Sequence, residues 1–385
     1  MNRKMRMGMV GGGRGAFIGA VHRMAANLDG EIELVCGAFS SDPEKSKASG
    51  ADLFLPADRA YASFEEMILK EKELPEGERM DFVSIVTPNH VHFAPAKLAL
   101  EHGFPVIIDK PMTFSYEEAK ELEALVEKTG LPFAVTHTYT GYPMVKQARA
   151  MVQGGAIGKV RKVVVEYPQG WLSDFIEAQG QKQASWRTDP NRSGKAGAMG
   201  DIGTHAENLA EYITGLKITE MAADISTFVE GRLLDDDGNV LLRFDNGAKG
   251  VLHASQISHG EENSINIRIY GDNGGLEWHQ MEPNTLIHKH QYTGTRYIRT
   301  GVGELSDEAQ AATRIPAGHP EGYLEAFANI YKNFSRTVRK HLNGEQPSAI
   351  DLDFPNVHDG VRGMAFIDTV VASGQSDEKW YPFKD

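Results

Sequence analysis

Over the first third of the chain, short apolar runs alternate with amphipathic stretches. Segments 7–10, 32–39, 82–86, 106–109 and 132–136 read as strands, several of them continuous apolar runs of the kind buried on both faces. Helices are expected over 16–28, from Ser41-Asp42-Pro43-Glu44 onward, after Pro88-Asn89-His90 to about 102, and from Ser115-Tyr116-Glu117-Glu118 to about 128. Two of these starts carry capping-box spacing, the first with proline in the opening turn. Strand–helix alternation predicts a mostly parallel sheet with helices on both faces.

The pattern changes after about residue 157. Segment 159–167 is strand-like, and 204–214 reads as a helix closed by Gly215. The run 240–244, the turn Asp245-Asn246-Gly247 and the run 250–255 form a hairpin signal. Ile265, Ile267 and Ile269 alternate with polar residues, which predicts an antiparallel sheet with one covered face. Helices return at about 321–342 and 354–372, while 294–317 lacks periodicity and is expected to be a long loop. The predicted fold class is α/β. A doubly wound parallel (Rossmann) sheet over 1–140 precedes an α+β domain over 141–385 with a large, mostly antiparallel open sheet. The last helix is expected to pack back on the first domain.

A length of 385 residues fits two domains. The formal charge of −13 excludes an ordinary non-specific binder of nucleic acid or anionic membrane. The single cysteine, Cys36, cannot form an internal disulfide and suits a reducing compartment. No apolar h-region follows the basic residues 1–6, and no window approaches the roughly 18 apolar residues of a membrane span. A cytoplasmic protein is expected.

Three segments carry chemistry. Gly11-Gly12-Gly13-Arg14-Gly15-Ala16 lies between the first strand and first helix and fits a G-x-G-x-x-A dinucleotide turn. The second strand ends Ala38-Phe39-Ser40-Ser41, with no acid at the usual place for the ribose. Ser40 could meet a ribose hydroxyl, and Arg14 or Lys45 a 2′-phosphate, so NAD is favoured with NADP left open. Asp109-Lys110-Pro111 closes an apolar run, placing a lysine at the strand edge where such sheets bind ligands. Asp201 and His205, four residues apart at a helix start, can share one face. There, the helix dipole favours ionised Asp201 and neutral His205, a base near pH 7. The same pair reads equally as a cap and a packed ring. His288-Lys289-His290 lacks a third ligand, so no metal is expected.

Taken in order, these motifs resemble the Gfo/Idh/MocA oxidoreductases (glucose-fructose oxidoreductase and inositol dehydrogenase) over nearly the whole chain. The likeness rests on the glycine turn, Pro88-Asn89-His90-Val91-His92, the Lys-Pro pair, and Gly200-Asp201-Ile202-Gly203-Thr204-His205. Gly11 to Gly19, Trp186-Arg187-Thr188-Asp189-Pro190 and Gly318-His319-Pro320-Glu321-Gly322-Tyr323 make it most similar to the scyllo-inositol, L-glucose and levoglucosan dehydrogenase branch. The resemblance implies Lys110, Asp201 and His205 as the catalytic group. It implies cofactor contacts from Gly11, Gly13, Gly15, Ala16, Phe17, Ile18, Ser40, Thr87, Pro88, Asn89, His92, Asp109, Lys110 and Pro111. Trp171, Arg187 and His319 would join the catalytic residues at the substrate. Where the family usually carries Glu-Lys-Pro, this chain has Asp-Lys-Pro, which gives Asp109 a supporting part. The implied activity is oxidation of a secondary hydroxyl of a cyclic polyol or pyranose by NAD(P), in a homodimer or homotetramer. The alternatives are a redox-neutral glycoside oxidation–elimination cycle and a non-catalytic sugar and NAD sensor.

Overall fold

The computed structural model describes residues 3–384, which divide into two compact units. Of the described residues, unit one comprises 3–138 and Leu324–Val361; unit two comprises Tyr139–Tyr323 and 362–384. The first stretch holds β1 (Met5–Gly11), α1 (Phe17–Asn27), β2 (Ile32–Ala38), α2 (Pro43–Asp52), α3 (Phe64–Glu73), β3 (Phe82–Val86), α4 (Phe93–Glu101), β4 (Val106–Ile108), α5 (Tyr116–Thr129) and β5 (Phe133–Val135). Then follow α6 (Pro143–Gln153), β6 (Val160–Pro168), α7 (Lys182–Arg187), α8 (Pro190–Ser193), α9 (Thr204–Thr214), β7 (Ile218–Ser226), β8 (Asp237–Phe244), β9 (Lys249–Ser255), β10 (Asn266–Gly271), β11 (Gly274–His279), β12 (Thr285–His290) and β13 (Gly294–Arg299). The chain closes with α10 (Asp307–Ala311), α11 (Tyr323–Asn343), α12 (Val357–Gly374) and β14 (Tyr381–Pro382).

In unit one the five strands are all parallel in the order β2-β1-β3-β4-β5. The order reverses at β1, so the carboxyl ends of β1 and β3 flank the crevice where doubly wound sheets take ligands. Gly11 pairs with Val86 there, bringing the glycine turn beside the Thr87-Pro88-Asn89 loop. The core is apolar and continuous: Met7, Met9, Phe82, Ile85, Val106, Ile107 and Ile108 are all buried. Phe334 of α11 sets its edge on Phe82 at 5.3 Å, so this late helix covers the parallel sheet. The Ser115 capping box at the start of α5 is fully formed. At α2 the cap is Asp42 instead of Ser41; its carboxylate accepts from the Glu44 and Lys45 amides, the stronger charge-assisted arrangement.

Unit two is built on a nine-stranded sheet, β13-β12-β11-β10-β6-β9-β8-β7-β14, antiparallel except for the β6–β9 pair. Alternating residues such as Val163, Val165, Val240, Leu242, Leu252, Ile267, Ile269 and Trp278 form its buried face. Helices α6 and α9 pack on strands of this sheet. The expected long loop over 294–317 is corrected: it contains β13 and α10. β13 is an edge strand exposed along nearly its whole length and joined to β12 by backbone pairing. With no buried face its sequence needs no alternation, so periodicity could not reveal it. No helix among the described residues is long and apolar enough to cross a membrane.

Candidate active site

The turn after β1 has the shape a pyrophosphate requires. Gly11, Gly12 and Gly15 have φ of 82°, 72° and 74°, values that disfavour any side chain. A Cβ on Gly13 would lie 2.6 Å from Ser49 Oγ and 2.7 Å from Phe39 O. A Cβ on Gly19 would lie 2.3 Å from Gly12 Cα, so α1 and the turn touch backbone to backbone. The Gly12 carbonyl accepts from Arg23 at 2.8 Å. Ala16 and Ile18 are half-buried, whereas Phe17 is 66 % exposed beside the turn. These residues fit a dinucleotide cradle closed to anything larger than glycine.

Ser40 is half-buried at the end of β2, where its Oγ accepts from the Asp42 amide at 3.2 Å. Arg14 forms a fork with Asp52, Nε to Oδ2 at 2.5 Å and Nη2 to Oδ1 at 2.7 Å. That pair occupies the arginine a 2′-phosphate would need. Being exposed, it is a weak lock. Replacing Asp52 by asparagine should free Arg14 and raise kcat/KM for NADP by about threefold to tenfold relative to NAD. Steady-state kinetics with both cofactors checks this; an unchanged ratio removes Arg14 from cofactor selection.

The third cluster of unit one gathers at the ends of β3, β4 and β5. Asp109 N donates to Ile85 O at 3.0 Å, the last ladder bond of β4. The Asp109 carboxylate accepts from the Lys110 amide at 2.9 Å and from Thr136 Oγ1 at 2.8 Å. Pro111 O and Thr87 O lie 2.9 and 2.8 Å from the two ring nitrogens of buried His92, which ties the Thr87 loop to the Lys-Pro turn. Burial lowers the His92 pKa, against the pull of Asp109 and these carbonyls. Asn89 is buried, and Pro88 and Lys110 are half-buried.

His137, next to Thr136, is wholly buried; burial first, and the Lys110 charge second, push its pKa down from 6.5 to about 3. The folded ring therefore refuses a proton that the unfolded chain binds below about pH 6.5. The stability His137 leaves intact at neutral pH is lost as pH falls from about 6.5 toward 3, at up to about 1.4 kcal/mol per unit. Denaturant melts at pH 7 and pH 5 should show a smaller acid loss in His137→Gln than in wild type. Equal losses refute the assignment.

In unit two, Asp201 stands in a π-helical turn, Met199–Gly203, that runs into α9. Asp235 is the carboxylate that binds the amides at the start of this turn, at 2.6 Å from Gly197 N and 2.7 Å from Met199 N. Asp201 Oδ2 instead accepts from Arg187 Nε at 3.3 Å and Gln256 Nε2 at 2.9 Å. Arg187 stacks on Trp186 at 4.3 Å, reaches toward Trp171 at 6.0 Å, and donates to Gln183 Oε1 at 2.7 Å. Stacking plus the carboxylate leave the guanidinium little freedom, as suits a group that reads hydroxyls.

His205 is buried, with the Tyr139 ring edge-on at 4.9 Å and Tyr167 at 6.2 Å. The two phenols share a hydrogen bond, and Asn263 donates to Tyr139 at 3.0 Å while accepting from Tyr167 at 2.7 Å. Gln169 donates to Asn263 and accepts from Trp171 at 2.9 Å, so one polar chain runs from Trp171 to the His205 cage. Burial, chiefly, raises both phenol pKa values, keeping them as proton donors. The structure thus gathers Trp171, Arg187 and Asp201 in one network and places His205 in its aromatic extension. His319 stays apart, exposed, with Nδ1 3.0 Å from Pro316 O. Gln256, Gln183, Tyr139, Tyr167 and Asn263 were not singled out from sequence; no local spacing marks residues drawn from four separate segments.

The glycine cradle at the carboxyl edge of a parallel sheet fits a dinucleotide-dependent oxidoreductase. Residues 5–137 match the family profile described as oxidoreductase family, NAD-binding Rossmann fold, and 145–277 match that of the GFO/IDH/MocA C-terminal domain. The chain is 34 % identical to the uncharacterized oxidoreductase YfiI of Bacillus subtilis (strain 168), over 100 % of this chain and 98 % of that protein. It is 27 % identical to the levoglucosan dehydrogenase of Pseudarthrobacter phenanthrenivorans, over 71 % of this chain and 73 % of the relative. The crystal structure of an inositol dehydrogenase homolog from Azotobacter vinelandii, complexed with NADH and myo-inositol, superposes with a TM-score of 0.91 at 32 % identity, covering 100 % of this chain and 98 % of that one. The chain belongs to the Gfo/Idh/MocA family of oxidoreductases, and NAD is its cofactor.

Proposed function

We propose that the protein oxidises one secondary hydroxyl of a cyclic polyol or pyranose, passing hydride to NAD. The observation that carries this reading is Lys110, held at the carboxyl edge of the parallel sheet that also bears the glycine cradle. NAD, when bound, supplies the hydride acceptor. His205 takes the hydroxyl proton as the carbinol C–H bond breaks and the C=O bond forms. Lys110 donates a hydrogen bond to the oxygen as negative charge develops there. Asp201 orients the substrate and, with Gln256, fixes Arg187 against the remaining hydroxyls. Trp171 supplies a further substrate contact from within this network, and His319 one from the exposed segment before α11. Ser40, Thr87, Pro88, Asn89 and His92 serve the cofactor.

Similarity to a levoglucosan dehydrogenase and to a myo-inositol complex supports this substrate class. A homodimer or homotetramer in the cytoplasm completes the proposal, the exposed face of the nine-stranded sheet being its natural interface. The test is a screen of inositols, monosaccharides, anhydrosugars and glycosides with NAD, followed by absorbance of reduced nicotinamide. Net reduction with a free polyol or sugar supports the dehydrogenase. Release of an aglycone without net reduction points to the redox-neutral cycle, and binding without any turnover to a sensor.

A further inference from the structure

Beneath Lys110 runs a chain of buried polar groups that apolar sheet packing does not require. His22, on α1, is fully buried. Its Nδ1 lies 2.7 Å from Tyr331 Oη, and that phenol lies 2.8 Å from Ser84 Oγ on β3. Its Nε2 faces Asp109 Oδ2 at 3.7 Å, an electrostatic contact longer than a full hydrogen bond. Phe327 and Tyr331 of α11 clamp the ring from the side, with centroids at 4.6 and 5.9 Å.

We infer that His22 is a positioning residue for Lys110: with Tyr331 and Ser84 it fixes the Asp109 carboxylate that holds the Lys110 backbone. The inference rests on the assignment of Lys110 to the reaction made above. Its starting point is where the sheet stops. Asp109 makes the last ladder bond of β4, to Ile85 O. Beyond it, the Asp109 side chain accepts from the Lys110 amide at 2.9 Å. An aspartate has one side-chain torsion fewer than the glutamate usual in the family, and its carboxylate plane sets the direction of that bond. Oδ1 is taken by the Lys110 amide and Thr136, so Oδ2 is the atom left to be steered, and His22 faces it.

Charge selects one set of proton positions. If Tyr331 donated to Ser84, a neutral His22 would have to donate from Nδ1 and turn a bare Nε2 lone pair toward an anion. The favourable order is Ser84 O–H to Tyr331, Tyr331 O–H to His22 Nδ1, and His22 Nε2–H toward Asp109. The groups facing Asp109 are His22, His92, Lys110, His137 and Tyr331. Burial works against its ionisation, but His22 above all, then Lys110 and His92, hold its carboxyl well below the ordinary range. The anion that receives the Lys110 amide is thus maintained from behind by a residue 87 positions earlier, on the helix that opens at the glycine cradle.

Two readouts test this on the full chain. The first needs no substrate: hydrogen–deuterium exchange of peptides spanning Lys110. His22→Phe should speed exchange there about tenfold, and His22→Gln, which keeps an N–H toward Asp109, should restore most of the protection. The second is kinetics, with NAD and the sugar or polyol turned over fastest in the screen. His22→Phe should lower kcat about tenfold or more with KM for NAD within about twofold, and His22→Gln should recover a good part of it. Unchanged exchange in His22→Phe, or equal defects in the phenylalanine and glutamine variants, overturns the inference. Should His22→Phe not fold, Tyr331→Phe keeps the ring packing and removes the hydroxyl, and unchanged exchange and kcat there overturn it equally. Lys110→Met, run alongside, separates the two readings. Full turnover in that variant sinks the catalytic assignment, whereas an inactive Lys110→Met beside an unaffected His22→Phe sinks only the positioning role.

Discussion

Lys110→Met is expected to bind NAD nearly as wild type does and to lose turnover by about a hundredfold to ten-thousandfold. The separation follows from which atoms the substitution removes. The contact that fixes the end of β4 uses the Lys110 backbone amide, donated to Asp109, and methionine keeps that amide. The cradle formed by Gly11, Gly12, Gly13 and Gly15 lies on another strand end and is untouched. What disappears is the ammonium donor proposed for the developing alkoxide, a term realised only as charge forms on oxygen. Titration of NAD by protein fluorescence, beside single-turnover reduction with the best substrate of the screen, measures both halves. Undiminished turnover removes Lys110 from the chemistry; a loss confined to NAD affinity reassigns it to binding.

Gly19→Ala is expected to abolish tight NAD binding and to destabilise the first unit. In an ordinary helix interior this change gains up to about 1 kcal/mol through helix propensity. Here the new Cβ would meet Gly12 Cα at 2.3 Å, Gly12 O at 2.7 Å and Gly12 C at 2.9 Å. All three are backbone atoms of the turn itself, so no side chain can swing away. Overpacking of about 1–3 kcal/mol or more outweighs the propensity gain, and relief comes only by moving the turn off its pyrophosphate geometry. NAD affinity should fall at least about tenfold, with a lower melting temperature. Gly77→Ala, where nothing lies within 4 Å of the added carbon, is the control and should change neither. An unaltered affinity in Gly19→Ala means that the turn has room the close approach denies.

Much of the architecture was legible because its signals are local. Met7, Met9 and Val10 run apolar into glycines, Ser115 and Glu118 stand three apart, and Ile267 and Ile269 alternate with polar neighbours. Each pattern is imposed by one element's own geometry: burial on both faces in β1, a capped first turn in α5 and one buried face in β10. β13 failed that reading because an exposed edge strand is held by backbone bonds, which leave no side-chain signature. The candidate site was legible only in part. The Lys-Pro pair, the glycine turn and the Asp201–His205 spacing are contiguous and could be found. Gln256, Asn263 and Tyr139 act through partners scores of residues away, and no spacing announces them.

The clearest division falls at Asp109. As a tripeptide, Asp109-Lys110-Pro111 said only that a charged pair ends a buried strand, and comparison with the family demoted the aspartate. The fold gives it definite neighbours: Thr136 just beyond β5, His92 from the loop after β3, and His22 from α1. By itself the sequence determined the elements, their type and the residues capable of chemistry, since these depend on side-chain period, turn propensity and reactivity within a few positions. Which of those residues meet was decided by the tertiary structure alone. Strand order and register bring together groups far apart along the chain, and the energy that selects them, burial of polar partners in a low-dielectric interior, exists only once the sheet has closed around them.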